Sequence, residues 1–340
     1  MIVRDFGNGF SVADWTDEIN VVPNSWGTIG QLNIFEDEPV AENTVIFEEI
    51  LQSGALIVDR VRGDRGGQGK DYSRKLHSFI VPHFPYDDYI TPQDLQGKRA
   101  YGDPSSADTL DNVRMRKMEI ARRNHAWTLE AARAQLLTAG TLYAPNGTVV
   151  QNFFTEFGKT QSTVNFQFSV STTDVLGQIE TAIAYIQDNA GQSVSMTGVV
   201  ALCSPEWFSA LVGHATIKTA YQYYSSTQEP LRARLAAGGS ATVLHREFYH
   251  SGVKFVEMRD AYNGVKLIPA NTAVMIPTGT DIFRSYYAPA NRFGLVNTLG
   301  MPTYFFEFPD PKGTRIEIET ESNFVNACLR PELIIALTKS

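Results

Sequence analysis

Strand-forming apolar residues precede a glycine-rich segment, and apolar and polar positions alternate with the two-residue period of a β-strand after it. Residues 44–61 are rich in strand-forming side chains, and apolar residues alternate with polar ones from 72 to 81. Four of the ten residues 62–71 are glycine, which loses more backbone freedom on ordering than any other residue. The pattern therefore predicts a long two-stranded hairpin over residues 44–84 with a glycine-rich tip.

A two-stranded ribbon is at best marginally stable alone in water. We therefore expect it to lie on another surface, for which a neighbouring copy of the chain is the simplest candidate. Three aspartates offset the basic charge of the tip and no aromatic residues interleave there, which argues against single-stranded nucleic acid as its ligand. Guanidinium groups suit contacts with carboxylates of an acidic neighbouring surface. The contact candidates are the basic residues of the hairpin: Arg60, Arg62, Arg65, Lys70, Arg74 and Lys75.

The apolar spacing changes to that of a helix after residue 105. No Pro or Gly occurs from about residue 106 to 139, Ser105 and Asp108 form a capping-type start, and Gly140 is placed as a stop. A helix of about 30 residues is about 45 Å long at 1.5 Å per residue, so we expect a rigid spine. Its apolar face consists of residues at intervals typical of a helix: Met118, Ala121, Leu129, Ala132 and Leu136.

The remaining pattern predicts a mixture of strands and helices. An Asn146-Gly147 turn between apolar runs is a strong hairpin signal. Ser204 followed by Pro205 is typical of a helix start. A second helix is predicted over 173–189, and strands within 141–168 (including Phe153 and Phe154), 198–202, 243–248, 253–258, 265–268, 273–276 and 303–338.

Residues 1–43 show neither period. Pro23, Pro39 and several glycines interrupt any regular spacing, so we interpret this stretch as an extended N-terminal arm that lies on a surface. Its expected anchors are four aromatic residues: Phe6, Phe10, Trp15 and Trp26.

Composition and charge limit the classes of function. The 340 residues are 43% hydrophobic and 19% charged, which fits a folded chain of about two lobes. The formal net charge of −8 is not typical of a protein that grips DNA through its phosphates. Cys203 and Cys328 are expected to be buried reduced thiols. We expect neither a signal peptide nor a membrane span.

The candidate catalytic motifs are incomplete, so we predict no catalytic, cofactor-binding or metal site. Gly69-Lys70 resembles the end of a phosphate-binding loop, but Asp64 stands where its first glycine belongs and Asp71 where its magnesium-binding hydroxyl belongs. The six histidines lack zinc-ligand spacing, and no Gly-x-Ser-x-Gly motif occurs.

Four groups of residues occur in an informative order across about residues 45–335. The first group contains Arg62-Gly63, Gly66-Gly67, Pro82, Asp88-Tyr89-Ile90-Thr91-Pro92, Leu95, Arg99 and Gly102; the second Thr128-Leu129-Glu130-Ala131, Leu137 and Gly140; the third Ala288-Pro289-Ala290, Asn297-Thr298-Leu299-Gly300 and Tyr304; the fourth Glu321-Ser322 and Leu329-Arg330-Pro331. With the order of arm, ribbon, long helix, α+β lobe and returning strands, they resemble the tailed-phage major capsid proteins of the Hong Kong phage-type fold, within the lambda-type capsid protein E family.

The resemblance implies assembly rather than catalysis. Hexamers and pentamers of the chain would close an icosahedral head shell around phage double-stranded DNA, which they would contact weakly and non-specifically. Expected partners are further copies, a scaffold protein, a portal protein and a decoration or cement protein; the expected location is the virion capsid, after assembly in the host cytoplasm. The implied α+β parts are an arm (1–43), an extended hairpin or E-loop (44–84), a peripheral domain (85–165 and 300–340) with a spine helix at about 106–139, and an axial domain (166–299).

Three alternatives stay open on the sequence. A cellular nanocompartment shell shares the fold and would enclose enzyme cargo instead of DNA. A phage tail module would form β-rich trimeric fibres, which the long helix does not favour. An enzyme with a nucleotide site at residues 63–70 is disfavoured by the two aspartates in its motif.

Overall fold

The computed structural model describes residues 2–5, 11–21, 27–51, 73–96, 109–143, 151–190, 194–222, 246–262 and 264–340. They form an α+β architecture of two large sheets, a ribbon and a short hairpin, with helices packed on the sheets. The strands are β1 (Ile2–Asp5), β2 (Ser11–Asp14), β3 (Glu36–Pro39), β4 (Thr44–Leu51), β5 (Ser73–Ile80), β6 (His83–Ile90), β7 (Ser162–Phe166), β8 (Gly198–Cys203), β9 (Glu247–His250), β10 (Val253–Glu257), β11 (Ala261–Tyr262), β12 (Val265–Lys266), β13 (Thr272–Thr278), β14 (Phe283–Tyr287), β15 (Tyr304–Pro309), β16 (Ile316–Cys328) and β17 (Ile335–Lys339). The helices are α1 (Thr16–Val21), α2 (Thr28–Gln31), α3 (Pro92–Leu95), α4 (Leu110–Ala139), α5 (Phe153–Glu156), α6 (Val175–Ala190), α7 (Pro205–Gly213) and α8 (Ala215–Gln222).

The predicted hairpin is confirmed where the structure describes it. β4 and β5 pair in antiparallel register, with Thr44 opposite Ile80 and Leu51 opposite Ser73. Each strand has eight residues, so this part of the ribbon is about 25 Å long at about 3.3 Å per residue. The predicted tip lies outside the described residues.

The predicted spine helix is α4, which has 30 residues. It begins after Thr109, whose side chain accepts a hydrogen bond from a backbone N–H three residues further on at 3.3 Å. The capping pair predicted from Ser105 and Asp108 lies outside the described residues. Gly140 ends the helix as predicted, with φ 62° and its N–H donating to the Leu136 carbonyl at 2.8 Å, because glycine adopts this left-handed conformation without a Cβ clash.

The larger sheet carries α4 on one face. Seven described strands form it, in the order β1-β2-β15-β16-β14-β3, with β6 also paired to β16. The 13 residues of β16 join the sheet together, because its first half pairs with β15 and β6 and its second half with β14. The apolar face of α4 packs here, where Met118 and Ala121 share a cluster with Ile90, Phe305 and Ile318.

The second sheet has six described strands, in the order β7-β17-β13-β8-β10-β9, with α6 and α7 against it. The predicted start of α7 is confirmed, since Ser204 accepts a hydrogen bond from the Trp207 N–H at 3.4 Å and Pro205 follows at the first helical position. Trp207 is fully buried, and its ring centroid lies 5.2 Å from that of Phe166 and 5.9 Å from that of Phe255. The core of this lobe lies between the sheet and these helices.

The N-terminal arm is more structured than expected. Its described residues form the β1–β2 hairpin, α1, α2 and β3. β2 pairs with β15, where Asp14 lies opposite Phe306, and β3 pairs in parallel with β14. The arm joins the large sheet because strands far away in the sequence supply its hydrogen-bond partners, which no local pattern reveals.

Two local predictions differ from the structure. Phe153 and Phe154 are predicted in a strand but begin α5, because the Asn152 side chain accepts the Thr155 N–H at 3.2 Å and caps this turn. The strand β6 is not predicted at all. Its Pro85 is tolerated because, among the described strands, β6 pairs only with β16, and proline is accepted at such an edge. The Asn146-Gly147 turn lies outside the described residues.

Sheet membership crosses the domain boundaries expected from the sequence. β7 and β17, both expected in the peripheral part, pair with each other in the six-stranded sheet. β14, expected in the axial part, pairs with β16 in the seven-stranded sheet. Periodicity within a segment shows that it is a strand, but its sheet is chosen by partners distant in the sequence.

A Gly300→Ala substitution is expected to destabilise the subunit by about 3 kcal/mol or more. An added Cβ would overlap the Tyr287 carbonyl, so the end of β14 would have to move. The Gly300 N–H also donates to the Val40 carbonyl at 2.9 Å. Urea unfolding measures the loss. Gly213→Ala is the matched control, since no atom lies within 4 Å of a Cβ added there, and equal stability of the two variants would contradict the close approach at Gly300.

Candidate subunit interface

The ribbon has an inner face that packs on the chain's own body. Successive side chains of a strand point to opposite sides, and one of the two sets is aromatic. The ring centroids of Phe47 and Tyr286 are 5.3 Å apart, and Phe79 stacks on Phe153 at 4.7 Å. These buried rings hold the described part of the ribbon in place.

The outer face of the ribbon carries large apolar side chains that the described part of the chain leaves uncovered. Ile46, Leu76 and Ile80 are 59%, 65% and 65% exposed. Directly opposed residues of an antiparallel pair project to the same face of the ribbon. The pair of Ile46 with Ser78 and the pair of Ile80 with Thr44 lie two positions apart along the strands, so their side chains share one face. Full burial of such a side chain is worth about 1.5–3 kcal/mol, and contiguous exposed apolar patches mark interaction sites. We call Ile46, Leu76 and Ile80 the outer row.

The structure describes two of the six basic contact candidates. Lys75 is exposed, and its Nζ donates to the Glu156 carbonyl of the same chain at 3.0 Å. The backbone of Arg74 pairs with Ile50 in the ribbon. The other four candidates lie outside the described residues: Arg60, Arg62, Arg65 and Lys70. Their contacts with a neighbouring subunit stay predictions.

Trp15 is the arm anchor that the structure describes. Its backbone N–H donates to the Phe305 carbonyl at 3.0 Å, and the Arg114 guanidinium lies 4.7 Å from the centroid of its indole ring. Arg114 in turn donates to both carboxylate oxygens of Glu307, at 2.8 and 3.0 Å. This sequence of contacts fixes the start of α1 against α4 and β15. The anchors Phe6, Phe10 and Trp26 lie outside the described residues.

A buried arginine of α4 holds the other end of α1. Arg122 donates to the side chains of Asn20 and Thr303 at 3.0 and 2.7 Å, and Asn20 donates to the Thr303 carbonyl at 2.9 Å. Burial lowers the pKa of Arg122. The hydrogen bond that the guanidinium donates to Asn20 ties the arm to the helix.

Two buried carboxylates hold α2. Glu130 of α4 accepts the N–H groups of Ile29 and Gly30 at 2.5 and 3.1 Å. Asp260 accepts the N–H and the hydroxyl of Thr28 at 3.1 and 2.6 Å. Burial raises the pKa of Glu130 to about 7, against the two N–H groups and the Arg133 charge, while Asp260 adds to the rise. The arm is thus fastened by a group that titrates near neutral pH.

Sequence analysis missed these charged residues of α4. Arg122, Glu130 and Arg133 are all buried. Arg122 and Arg133 follow two members of the predicted apolar face, Met118 and Leu129, by four positions each. A charged residue inside an apolar helical stripe needs a polar partner. That placement was the signal available in the sequence, although it could not identify the arm as the partner.

A second exposed apolar group lies in the loop between β14 and β15. Phe293, Val296 and Leu299 are 92%, 60% and 63% exposed. The loop is nevertheless held by its own hydrogen bonds, because the Thr298 hydroxyl donates to the Leu295 carbonyl at 2.7 Å. Apolar side chains displayed on a fixed loop are suited to contact a partner.

The potential metal ligands and the two thiols bear on site chemistry in the described part of the chain. Among the described residues, no group of three or more His, Cys, Asp or Glu side chains is placed to hold a metal ion. Cys203 and Cys328 are free and buried, as predicted, and burial raises the pKa of both thiols. No helix in the described part is long and apolar enough to cross a membrane.

Comparison with known proteins identifies relatives along nearly the whole chain. The family of phage major capsid protein E matches residues 11–339. The major capsid protein of Pseudomonas phage KPP10 is 44% identical over 96% of both chains, and that of Salmonella phage Felix O1 (isolate Felix O1-VT1) is 26% identical over 98% of both. The mature capsid of bacteriophage PhiM1 shares the fold, with a TM-score of 0.51, 13% identity and coverage of 90% of this chain and 85% of that one.

These matches confirm both the resemblance and the fold class predicted from the sequence. The arm, ribbon, spine helix and two sheets have the arrangement of the Hong Kong phage-type capsid fold. The chain therefore belongs to the phage major capsid protein E family, a family of structural proteins of the virion.

Proposed function

We propose that the chain builds the head shell of a tailed phage by placing the outer row of its ribbon on a neighbouring copy. As a phage major capsid protein it is a subunit of the shell. The observation that carries the contact is the outer row itself, three large apolar side chains at least 59% exposed on a ribbon whose other face is anchored. A second copy can bury this row, because self-association needs no further component.

We assign the parts of the subunit by their sheets. The seven-stranded sheet with α4 is the peripheral domain, and the six-stranded sheet with α6 and α7 is the axial domain. The long helix supports this assignment because 30 residues give a stiff element of about 45 Å. Hexamers and pentamers would form around the axial domains, with the ribbons crossing between subunits.

The further partners follow from the role of a shell wall. A scaffold protein would guide assembly, a portal protein would occupy one vertex and a decoration protein would bind the outside. The net charge of −8 supports weak, non-specific contact with packaged DNA, because tight phosphate binding needs a basic surface. The subunit would act without turnover of a substrate.

The two phage relatives favour the head shell over a cellular nanocompartment. Expression of the full chain with its scaffold is expected to yield closed particles by electron microscopy. Fractions that contain stable monomers, without shells or capsomers, would refute the proposal. Empty particles formed without phage DNA would agree with it, and particles filled with a co-purified enzyme would favour the nanocompartment.

A further inference from the structure

The outward side of the spine helix carries exposed residues along a single row. Met115, Glu119, Arg123 and Trp127 follow one another at intervals of four positions in α4, so their side chains form one ridge on the helix surface. Met115 and Trp127 are 48% and 38% exposed, and Glu119 and Arg123 are exposed as well. The described part of the chain leaves this ridge uncovered over about 18 Å, at 1.5 Å per residue. We call these four residues the helix row.

The two charges of the helix row differ from the neighbouring charges of α4. Arg114 and Lys117 bind carboxylates of β15 and β6 at 2.8 and 2.7 Å. Glu119 and Arg123 make no ion pair within the described residues, and the Arg123 guanidinium lies 5.2 Å from the centroid of the Trp127 ring. The helix row therefore presents one carboxylate and one guanidinium, a helical turn apart, to a partner outside the described chain.

The chemistry of the helix row is complementary to its own reverse. The order is Met, Glu, Arg, Trp in one direction and Trp, Arg, Glu, Met in the other. An antiparallel second copy would place each carboxylate opposite a guanidinium and each thioether opposite an indole, and both contacts are favourable. Ridges at intervals of four also form the commonest class of helix packing. Ile120, which is 39% exposed beside the middle of the row, would add apolar contact.

A partner of one charge sign fits the helix row less well than a second copy does. Nucleic acid or an acidic peptide would be attracted by Arg123 and repelled by Glu119, one turn earlier on the same ridge. A second copy satisfies both charges at once. The same surface would then be used by both subunits, which is an isologous contact with its two-fold axis between Glu119 and Arg123.

We propose that α4 of one subunit packs antiparallel on α4 of a second copy through the helix row. This pairing rests on the proposed function and adds a second kind of contact to it. The ribbon contact is heterologous and closes rings of subunits, whereas a two-fold contact joins two rings. A closed shell needs both, because a contact that only closes rings leaves the rings separate.

A charge exchange within α4 tests the pairing. The first variant carries Glu119→Arg, the second carries Arg123→Glu, and the third carries both. Each full-length chain is expressed with its scaffold, and closed particles and capsomer-sized rings are counted on sucrose gradients and by electron microscopy. Each single variant brings like charges together across the two-fold axis, so we expect at least about tenfold fewer closed particles while rings persist. The double variant should recover to within about threefold of the wild type, because opposite charges face each other again.

Chemical cross-linking tests the pairing without a reversal of charge. Arg123→Lys keeps the positive charge and supplies an amine. A carbodiimide can join this amine to the Glu119 carboxylate as an amide, and the reagent takes up the water that is released. In particles, this bond should link two subunits into a dimer on a denaturing gel, and mass spectrometry of the dimer should find positions 119 and 123 joined. Glu119→Gln in the same background removes the carboxylate and should abolish that cross-linked peptide.

The controls separate this pairing from the proposed function. Asp188→Arg makes the same change of charge at an exposed position of α6 and should assemble as the wild type does. Circular dichroism of the dissociated subunits checks folding, and the cross-link decides for any charge variant that misfolds. Normal assembly of either single variant, no recovery in the double variant, opposite effects of the two single variants or a dimer without the joined positions would each overturn the pairing. Absence of particles from the wild type would instead defeat the proposed function.

Discussion

Aspartate at all three positions of the outer row, Ile46, Leu76 and Ile80, is expected to abolish particle formation. In the proposed shell these side chains are buried against a neighbour, and a carboxylate buried without a partner costs several kcal/mol. The loss of apolar burial adds about 1.5–3 kcal/mol for each side chain. Because every subunit makes this contact, the effect is repeated throughout the shell. Particle yield from co-expression with the scaffold measures it.

The isolated subunit should tolerate these changes. All three side chains are at least 59% exposed, and the anchoring rings lie on the opposite face. The melting temperature of the dissociated subunit should therefore stay close to that of the wild type. Val265→Asp is the matched control, since Val265 is 69% exposed on the separate β11–β12 hairpin. A normal particle yield from the triple variant would exclude the outer row as a subunit contact.

Glu130 is expected to make the stability of the subunit fall as the pH rises toward neutrality. Its pKa is raised from 4.5 to about 7 in the folded chain by burial. The folded state therefore keeps a proton that the unfolded state has already released, so the stabilising contribution is complete below about pH 4.5 and is lost as the pH passes about 7. The size of this loss is about 3 kcal/mol.

Glu130→Gln should remove this part of the pH dependence. An amide oxygen at the Oε1 position can still accept the Ile29 N–H and, at 3.4 Å, the Gly30 N–H, but the side chain no longer titrates. We expect the variant to gain stability over the wild type at pH 8 and to differ little at pH 5, as measured by urea unfolding at both pH values. Glu119→Gln changes an exposed residue of the same helix and should leave the pH dependence unaltered. If the stability of Glu130→Gln depended on pH as that of the wild type does, another group would be responsible for the dependence.

Glu130→Ala is expected to behave differently from the amide variant. It leaves the two N–H groups without their acceptor in a buried place, which costs about 1–3 kcal/mol for each unsatisfied group. Stability should fall at both pH values, and α2 should become accessible to proteolysis. Comparison of the two variants separates the charge of Glu130 from its hydrogen bonds.

Elements with a strong local signal were predictable from the sequence. Gly140 ends α4 because its left-handed backbone conformation is available to glycine at no steric cost. Ser204 starts α7 because its hydroxyl accepts a free N–H of the first turn. Strand-forming residues marked β4 and alternation of apolar residues marked β5, because successive side chains of a strand point to opposite faces. In each case the cause lies within a few residues.

Other features depend on contacts between distant segments. Phe153 and Phe154 look like strand residues, yet they begin α5 and are buried, with Phe153 stacked on Phe79 of the ribbon. The sheets of β7, β14 and β17 could not be assigned, because any strand of suitable length can pair with several others. The attachment of the arm by Arg122 and Glu130 depends on residues about 100 positions apart in the chain, which no local pattern connects.

The sequence by itself determined the class of protein, the ribbon, the spine helix with its end at Gly140, and the start of α7 at Ser204. Those features come from periodicity, from capping residues and from the order of motifs, all of which are written along the chain. The tertiary structure decided which face of the ribbon is left uncovered and which carboxylates are buried with a raised pKa. These depend on which distant side chains exclude water from one another, and burial of that kind is a property of the folded chain.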